Sequence, residues 1–179
     1  IIHSGRIVLV VSDNPSAYAL QRAKNAGKDT AIAEKSGRSQ AEFEADLTAV
    51  LKKYNIGLIV LAGFLRILSP SFIKNYENRI INVHPSLIPS FCGKGYYGLR
   101  VHEAALAYGV KVTGATVHFV NEIPDGGKII MQKAVEIQPD DTPETLQQRV
   151  MREAEWKILP LSAEKVCENM LARGSAANE

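Results

Sequence analysis

Short runs of apolar residues, separated by stretches with helical spacing, organise the first half of the chain. The runs at residues 6–12, 57–62 and 79–83 are almost unbroken, which is typical of strands that are covered on both faces. A shorter strand is predicted at residues 30–33. The predicted helices begin, in chain order, at Asn14-Pro15 with a stop at Gly27, at the capping box Ser39-x-x-Glu42 with an end near Tyr54, and at Ser69-Pro70.

The second half of the chain shows a different order of elements, with two strands in succession. The predicted elements are a helix at 99–108 that stops at Gly109, strands at 111–120 and 128–137, and a helical stretch from Thr142-Pro143 that Pro160 interrupts and Gly174 ends. The two strands are joined across a polar turn and are interpreted as an antiparallel pair. We therefore predict one α/β domain over residues 1–179, with a three-layer α/β/α fold and a mostly parallel sheet that carries a C-terminal antiparallel pair.

The composition restricts the classes of partner. Lys and Arg number 21 against 19 Asp and Glu, so the formal net charge is only +2 and no basic surface for nucleic acid is indicated. No apolar run approaches the roughly 20 residues that a membrane-spanning helix needs. The two cysteines, Cys92 and Cys167, lack metal-binding spacing and are too few for a disulfide framework, which fits thiols in a reducing cytoplasm. We expect a cytoplasmic protein, either a monomer or a homodimer, that binds small molecules and neither nucleic acid nor membrane.

The polar residues with the clearest chemical potential lie at the end of the strand at 79–83. Asn82 and His84 are two positions apart, so in a strand both side chains point to the same face. Asp125 lies in a tight turn, where its carboxylate is placed to orient or charge the imidazole. An amide donor, a titratable imidazole and a carboxylate are the groups needed to stabilise an oxyanion and move a proton. In parallel α/β folds ligands bind at the carboxyl ends of the strands, where residues 63–66 are also expected.

Each of these residues also has a purely structural interpretation. Asn82 can end a strand by bonding to the backbone, and His84 can be a hydrogen-bonded structural histidine. Asp125 precedes glycine, which is a common turn sequence. The remaining interpretations are a buried core or supporting role for His118, surface positions for His3 and His102, and a flexible loop for residues 93–95, which lack the spacing of a phosphate-binding loop.

Four segments, in their order and spacing, make this sequence similar to a known family. They are residues 62–68 (AGFLRIL), 82–89 (NVHPSLIP), 114–120 (GATVHFV) and 125–127 (DGG). The chain resembles the folate-dependent formyltransferases, most closely those that act on glycinamide ribonucleotide. The resemblance implies transfer of a formyl group from the cosubstrate 10-formyltetrahydrofolate to the amine of glycinamide ribonucleotide, in purine biosynthesis and without a metal.

The resemblance also implies roles for individual residues. Asn82, His84 and Asp125 match the catalytic set of the family. Gly63 and Glu155 match positions that bind the ribonucleotide. The folate is expected at Asn82 and along two segments, whose members are Leu65, Arg66, Ile67, Leu68, Asn121, Glu122, Ile123, Pro124 and Asp125.

Some features leave alternatives open. A formyltetrahydrofolate deformylase has the same catalytic trio but an acidic residue at the position of Gly126, so water-dependent hydrolysis is the main rival function. A non-catalytic domain that binds folate or a sugar nucleotide is the second. The loop at residues 90–98 is longer than in the best-known members. Because no segment matches the family's first strand and phosphate-binding loop, we expect the chain to be N-terminally incomplete and to bind the ribonucleotide poorly.

Overall fold

The computed structural model of the protein describes residues 2–34 and 36–176. The chain divides into a smaller compact unit, Gly5–Gly57, and a larger unit that begins at Leu58 and includes His3 and Ser4.

The smaller unit contains a parallel pair of strands and two helices. In chain order they are β1 (Leu9–Ser12), α1 (Tyr18–Asn25), β2 (Asp29–Ile32) and α2 (Gln40–Lys53). β1 pairs with β2 in parallel, with Leu9 opposite Asp29. The capping box predicted for α2 is confirmed, since Ser39 accepts a hydrogen bond from the backbone N–H of Glu42 and the Glu42 carboxylate accepts one from the N–H of Ser39.

The predicted start of α1 at Asn14-Pro15 is wrong, because the helix begins only after Ala17. The side-chain Oδ1 of Asn14 accepts a hydrogen bond of 2.9 Å from the backbone N–H of Ser16. The backbone carbonyl of Asn14 accepts one of 3.1 Å from the N–H of Ala17. Asparagine often forms such a local turn, which competes with the first turn of a helix. The same sequence signal therefore produced a turn that precedes the helix.

The larger unit is built on a four-stranded sheet in the order β3-β4-β5-β6. Its elements begin with β3 (Ile59–Leu61), α3 (Pro70–Asn75), β4 (Ile80–His84), α4 (Leu99–Tyr108), β5 (Val112–Phe119) and β6 (Ile129–Glu136). β4 is parallel to β3 and antiparallel to β5, which is in turn antiparallel to β6. Three of these four described strands thus run in one direction and β5 alone is reversed, which confirms the predicted α/β class and its C-terminal antiparallel pair.

The C-terminal helical stretch is broken at a different place from the one predicted. It consists of α5 (Pro143–Val150), a π turn (Met151–Glu155) and α6 (Trp156–Ala176). Pro160 lies inside α6, and the helix continues past Gly174, so both predicted breaks are wrong. A proline removes one backbone hydrogen bond, but the wider winding of the π turn has already interrupted the helix just before it. The π turn places Glu155 at its last position.

The main core of the larger unit lies between the sheet and the C-terminal helices. Ile81 and Val83 of β4 belong to this core. Since side chains alternate along a strand, Asn82 and His84 point to the opposite face. The other buried members are Ala115, Val117, Val135, Leu146, Val150, Ala154, Ile158, Ala163 and Val166. In the described part of the chain, none of the helices combines the length and the apolar character that crossing a membrane requires.

Candidate active site

Asn82 and His84 stand side by side at the carboxyl end of β4, as the sequence predicts. In the pairing of β4 with β5, Asn82 lies opposite His118 and His84 lies opposite Thr116. Directly opposite residues of an antiparallel pair present their side chains on the same face. Accordingly, Asn82 Nδ2 lies 3.3 Å from His118 Nε2. The register of this strand pair therefore adds a second histidine to the predicted group.

Asp125 reaches the two histidines from the turn that follows β5. Its carboxylate oxygens lie 3.6 Å from His84 Nδ1 and 3.6 Å from His118 Nε2. The residue has a left-handed backbone, with φ of 56°, and Oδ2 accepts a 2.8 Å hydrogen bond from the N–H of Gly93. The amide, the imidazole and the carboxylate therefore lie close together, as predicted. Asp125 also helps to hold its turn by accepting the hydrogen bond from Gly93.

Backbone carbonyls determine which nitrogen of each imidazole carries a proton. His84 Nε2 lies 2.8 Å from the carbonyl oxygen of Phe91, and His118 Nδ1 lies 2.8 Å from that of Phe119. A carbonyl oxygen can only accept, so these two ring nitrogens must donate. In the neutral rings, His84 Nδ1 and His118 Nε2 are then acceptors, and both face Asp125. In the neutral ring, His118 Nε2 accordingly accepts a hydrogen bond from the Asn82 amide, whereas in the charged ring the same nitrogen carries a proton that faces the Asp125 carboxylate.

Phe91 adopts an unusual backbone conformation that directs its carbonyl to His84. Its φ of 49° lies in the left-handed region, which is uncommon for a residue with a large side chain. The ring of Phe91 packs edge-on against Tyr96 and Tyr108, with centroids 6.3 and 6.0 Å away. Aromatic packing of this kind is worth about 0.5–1.5 kcal/mol per pair beyond area burial, which is the order of the backbone strain.

The chain that follows His84 is tied to β5 by a buried hydroxyl. Thr116 Oγ1 donates to the carbonyl of Ser86 at 2.7 Å and accepts from the N–H of Ile88 at 3.1 Å. Gln132 donates to the same hydroxyl at 2.9 Å. These bonds satisfy loop groups that would otherwise be buried without partners, and they fix the direction in which the loop leaves His84.

The carboxyl group of Asp125 stays ionised at neutral pH. Burial by itself raises its pKa, but the imidazole of His118, the N–H of Gly93 and the nearby His84 together outweigh burial and hold the pKa below its usual value. The described site therefore contains a stable negative charge beside two imidazoles.

All the predicted site residues line one cavity of about 640 Å³ in the larger unit. The catalytic group occupies part of its wall. The other predicted residues on the wall are Gly63, Leu65, Arg66, Ile67, Leu68, Asn121, Glu122, Ile123, Pro124 and Glu155. Cavities of this size hold typical cofactors and substrates. The structure thus brings together four separate stretches of sequence, at residues 63–68, 82–84, 121–125 and 155.

Glu155 is a half-buried carboxylate on the wall of the cavity. Burial raises its pKa from 4.5 to about 7. The described residues offer its side chain neither a hydrogen bond nor an ion pair. Its neighbour Trp156 also lines the cavity and is 62% exposed. A half-buried carboxylate that faces a cavity without a partner is suited to accept hydrogen bonds from a ligand.

Sequence reasoning missed or misplaced several residues of this wall. His3 is exposed as predicted, but the surface position predicted for His102 is wrong, because its side chain is fully buried and lines the cavity. Val101 and Ala105 are buried on the same helix, so the buried face of α4 includes position 102. The burial predicted for His118 is confirmed. The cavity residues with no predicted site role include Tyr96, Tyr97, Gln147, Met151, Trp156 and Leu159.

Over residues 2–34 and 36–176, no group of three or more His, Cys, Asp or Glu side chains is arranged to hold a metal ion.

Comparison with known proteins gives a consistent result. The sequence profile described as "Formyl transferase" matches residues 2–162. The chain is 43% identical over 95% of its length to the trifunctional purine biosynthetic protein adenosine-3 of Gallus gallus, of which it spans 16%. It is 35% identical over 94% of its length to the chloroplastic phosphoribosylglycinamide formyltransferase of Arabidopsis thaliana, of which it spans 58%.

Comparison with a solved structure agrees with the sequence comparison and extends it to the fold. The glycinamide ribonucleotide transformylase 1 of Symbiobacterium toebii superposes with a TM-score of 0.85 at 39% sequence identity. The match covers 92% of this chain and 76% of that structure.

Proposed function

Because the chain belongs to the formyl transferase family, we propose that it transfers a formyl group from 10-formyltetrahydrofolate to the amine of glycinamide ribonucleotide. The observation that carries the proposal is the meeting of Asn82, His84 and Asp125 on the wall of one cavity. The names of the relatives, which refer to purine biosynthesis and to formyl transfer, support the choice of substrate. The same relatives give the rival hydrolase function no support.

The proposed reaction begins with attack of the ribonucleotide amine on the formyl carbon. Negative charge develops on the formyl oxygen, and Asn82 and His84 supply the donors that stabilise it. One N–H of the Asn82 amide is held by His118, which leaves the second for the oxyanion. For His84, Nε2–H is committed to Phe91, so the imidazolium donates through Nδ1–H. A donor of this kind contributes about 3 kcal/mol to stabilisation of the transition state.

Asp125 completes the proton balance of the proposed reaction. Its carboxylate, 3.6 Å from His84 Nδ1, favours the charged imidazolium. The attacking amine must lose one proton and N10 of the folate must gain one when its bond to the formyl carbon breaks. Asp125 accepts the amine proton through a bridging water, and a proton returns to N10. The products are the formylated ribonucleotide and tetrahydrofolate.

We propose that the folate binds along the apolar part of the cavity. Leu65, Ile67 and Ile123 line it and are 68%, 67% and 65% exposed, which is unusual for large aliphatic side chains. A flat aromatic ring system laid against them would remove apolar surface from water, at about 25 cal/mol per Å². Leu68, Arg66 and the turn at residues 121–125 complete this proposed subsite.

We propose that the ribonucleotide binds at Gly63 and Glu155. Gly63 follows β3, which ends at Leu61, and has a left-handed backbone with φ of 65°; the space where a side chain would project contains no atom within 4 Å. A ligand can therefore approach the main chain closely. The unpaired carboxylate of Glu155 accepts hydrogen bonds from the ligand's hydroxyl groups or amine.

We also propose that the chain acts as a single formyltransferase domain in the cytoplasm. The family match over residues 2–162 supports the first part. Both cysteines, Cys92 and Cys167, are free thiols, which supports a reducing compartment.

The proposed function is tested by product analysis on the purified protein. With both substrates present, formylated ribonucleotide and tetrahydrofolate should accumulate in equal amounts, and His84→Ala should abolish both. Release of formate that does not require the ribonucleotide would contradict the transfer reaction and favour hydrolysis. Consumption of neither substrate would favour a binding protein without catalytic activity.

A further inference from the structure

His102 on α4 is a buried polar side chain that the proposed mechanism does not use. It is 0% exposed, and neither of its ring nitrogens has a hydrogen-bond partner among the described residues. Leaving a polar group buried and unpaired destabilises a fold, so such groups in native proteins normally bind ordered water or a ligand. No described residue supplies the missing partner of His102, so a water molecule or a ligand is the candidate.

The surroundings of His102 indicate where that partner lies. The residue lines the same cavity as Asn82, His84 and Asp125, while its helix packs against α5. Burial, and then the electrostatic effect of the nearby His84, lower the pKa of His102 to about 4. At neutral pH the ring is thus uncharged, with one N–H donor and one acceptor nitrogen. A water molecule can use both kinds of group, and a charged ligand group is not required.

We propose that His102 is a positioning residue of the transfer reaction, whose neutral ring holds a water molecule at the cavity wall beside the catalytic group. This inference rests on the proposed function. The water is oriented by His102 on one side and contacts the reacting groups near His84 on the other. Because the ring is uncharged, it orders the water without placing a second positive charge next to the imidazolium of His84, which like-charge repulsion would disfavour.

Substitutions that separate hydrogen bonding from packing test the role. His102→Leu fills the site with an apolar side chain, whereas His102→Gln keeps a donor and an acceptor but cannot take a charge. The leucine variant should lower kcat about 10-fold or more, with the KM of each substrate changed less than about twofold, and the glutamine variant should recover most of kcat. Glu103→Gln, exposed on the same helix, is the matched control and should leave both constants unchanged.

Other outcomes would overturn the proposal. If the leucine variant keeps kcat within about twofold, His102 is a packing residue; if only the ribonucleotide KM rises, it contacts the ligand directly. If glutamine fails as completely as leucine while unfolding temperatures stay at the parental value, an ionising role replaces the positioning role. If the leucine variant does not fold, kcat is measured for His102→Asn and His102→Gln instead. A decrease in kcat of about 10-fold or more in both variants would also reject the proposal.

A measurement that is independent of activity separates this inference from the proposed function. A high-resolution crystal structure of the unmodified protein should show an ordered water within hydrogen-bonding distance of a His102 ring nitrogen. A dry ring would overturn the inference even if the protein is a transferase. An ordered water in a protein without transferase activity would instead reject the proposed function and leave the water site standing.

Discussion

Replacing Glu155 by glutamine should stabilise the ligand-free protein in alkaline solution while weakening the binding of the ribonucleotide. In the folded chain, burial raises the pKa of this carboxyl from 4.5 to about 7. Between these two pH values the folded state keeps a proton that the unfolded state has lost. The free energy of unfolding therefore falls as the pH rises through this window, and the loss is complete once the pH exceeds the folded pKa.

The size of the effect follows from the shift. One pKa unit corresponds to about 1.4 kcal/mol, so a rise from 4.5 to about 7 corresponds to about 3 kcal/mol at most. Because the side chain keeps partial contact with solvent, we expect a gain of about 1 to 3 kcal/mol for Glu155→Gln at pH 8.5. The gain should shrink steadily toward pH 5, where the parental carboxyl is also largely protonated when folded.

Urea unfolding followed by tryptophan fluorescence measures this gain. Trp156 is the single tryptophan of the sequence and lies next to the substituted position, so the signal reports on the larger unit. Glu153→Gln, on the exposed side of the same π turn, should show no comparable gain that grows with pH. The reasoning would be refuted if the difference in free energy of unfolding between the parent and Glu155→Gln did not depend on pH. It would also be refuted if the parent were the more stable protein at pH 8.5.

Three further predictions concern the cavity and the turn at residues 125–127. His84→Ala and Asp125→Asn should each lower kcat by about 10²–10⁴-fold in a spectroscopic assay of folate turnover, while calorimetric titration still detects the folate; near-parental turnover would reject their roles. Gly127→Ala should destabilise the protein by about 1 to 3 kcal/mol or more in urea unfolding, because a Cβ at this position would lie 1.7 Å from the carbonyl oxygen of Phe119. An unchanged free energy of unfolding would contradict the tight turn. Ribonucleotide should change the emission of Trp156 on the cavity wall, and an unchanged spectrum at saturation would place the ligand elsewhere.

Local sequence patterns were sufficient to predict those features of the structure that neighbouring residues determine. The two-residue spacing of Asn82 and His84, within an apolar run, predicted that they share a face, and the structure bears this out. The capping box at Ser39 and the stop at Gly109 also correspond to observed helix ends. In each case the determining contacts are made within a few positions of the chain, so the sequence carries the necessary information.

The remaining features depend on contacts between distant segments. His102 is fully buried on a helix that packs against α5, and neither its burial nor its unpaired nitrogens can be inferred from a helix pattern that tolerates histidine on an exposed face. The proton positions on His84 and His118 are determined by carbonyls of Phe91 and Phe119, one of which requires a left-handed residue. Similarly, Pro160 was a misleading signal because the helix is interrupted at the π turn just before it.

The two cavity carboxylates have opposite electrostatic environments, and this difference argues for a division of labour between them. Hydrogen bonds and the two imidazoles hold the pKa of Asp125 below its usual value, whereas burial without a partner raises that of Glu155 to about 7. Asp125 is therefore a constant negative charge that can stabilise a cation at His84 throughout the neutral range. Glu155 gains most from a ligand that supplies hydrogen-bond donors, because these would replace the solvation that burial has removed.

Binding of such a ligand should consequently lower the pKa of Glu155 and release a proton when the protein is titrated near pH 7. Calorimetric titration of the ribonucleotide in two buffers of different ionisation enthalpy measures that proton directly, and Glu155→Gln should abolish it. If the parent and the variant release the same number of protons, Glu155 does not face the ligand, and the unpaired carboxylate requires another explanation.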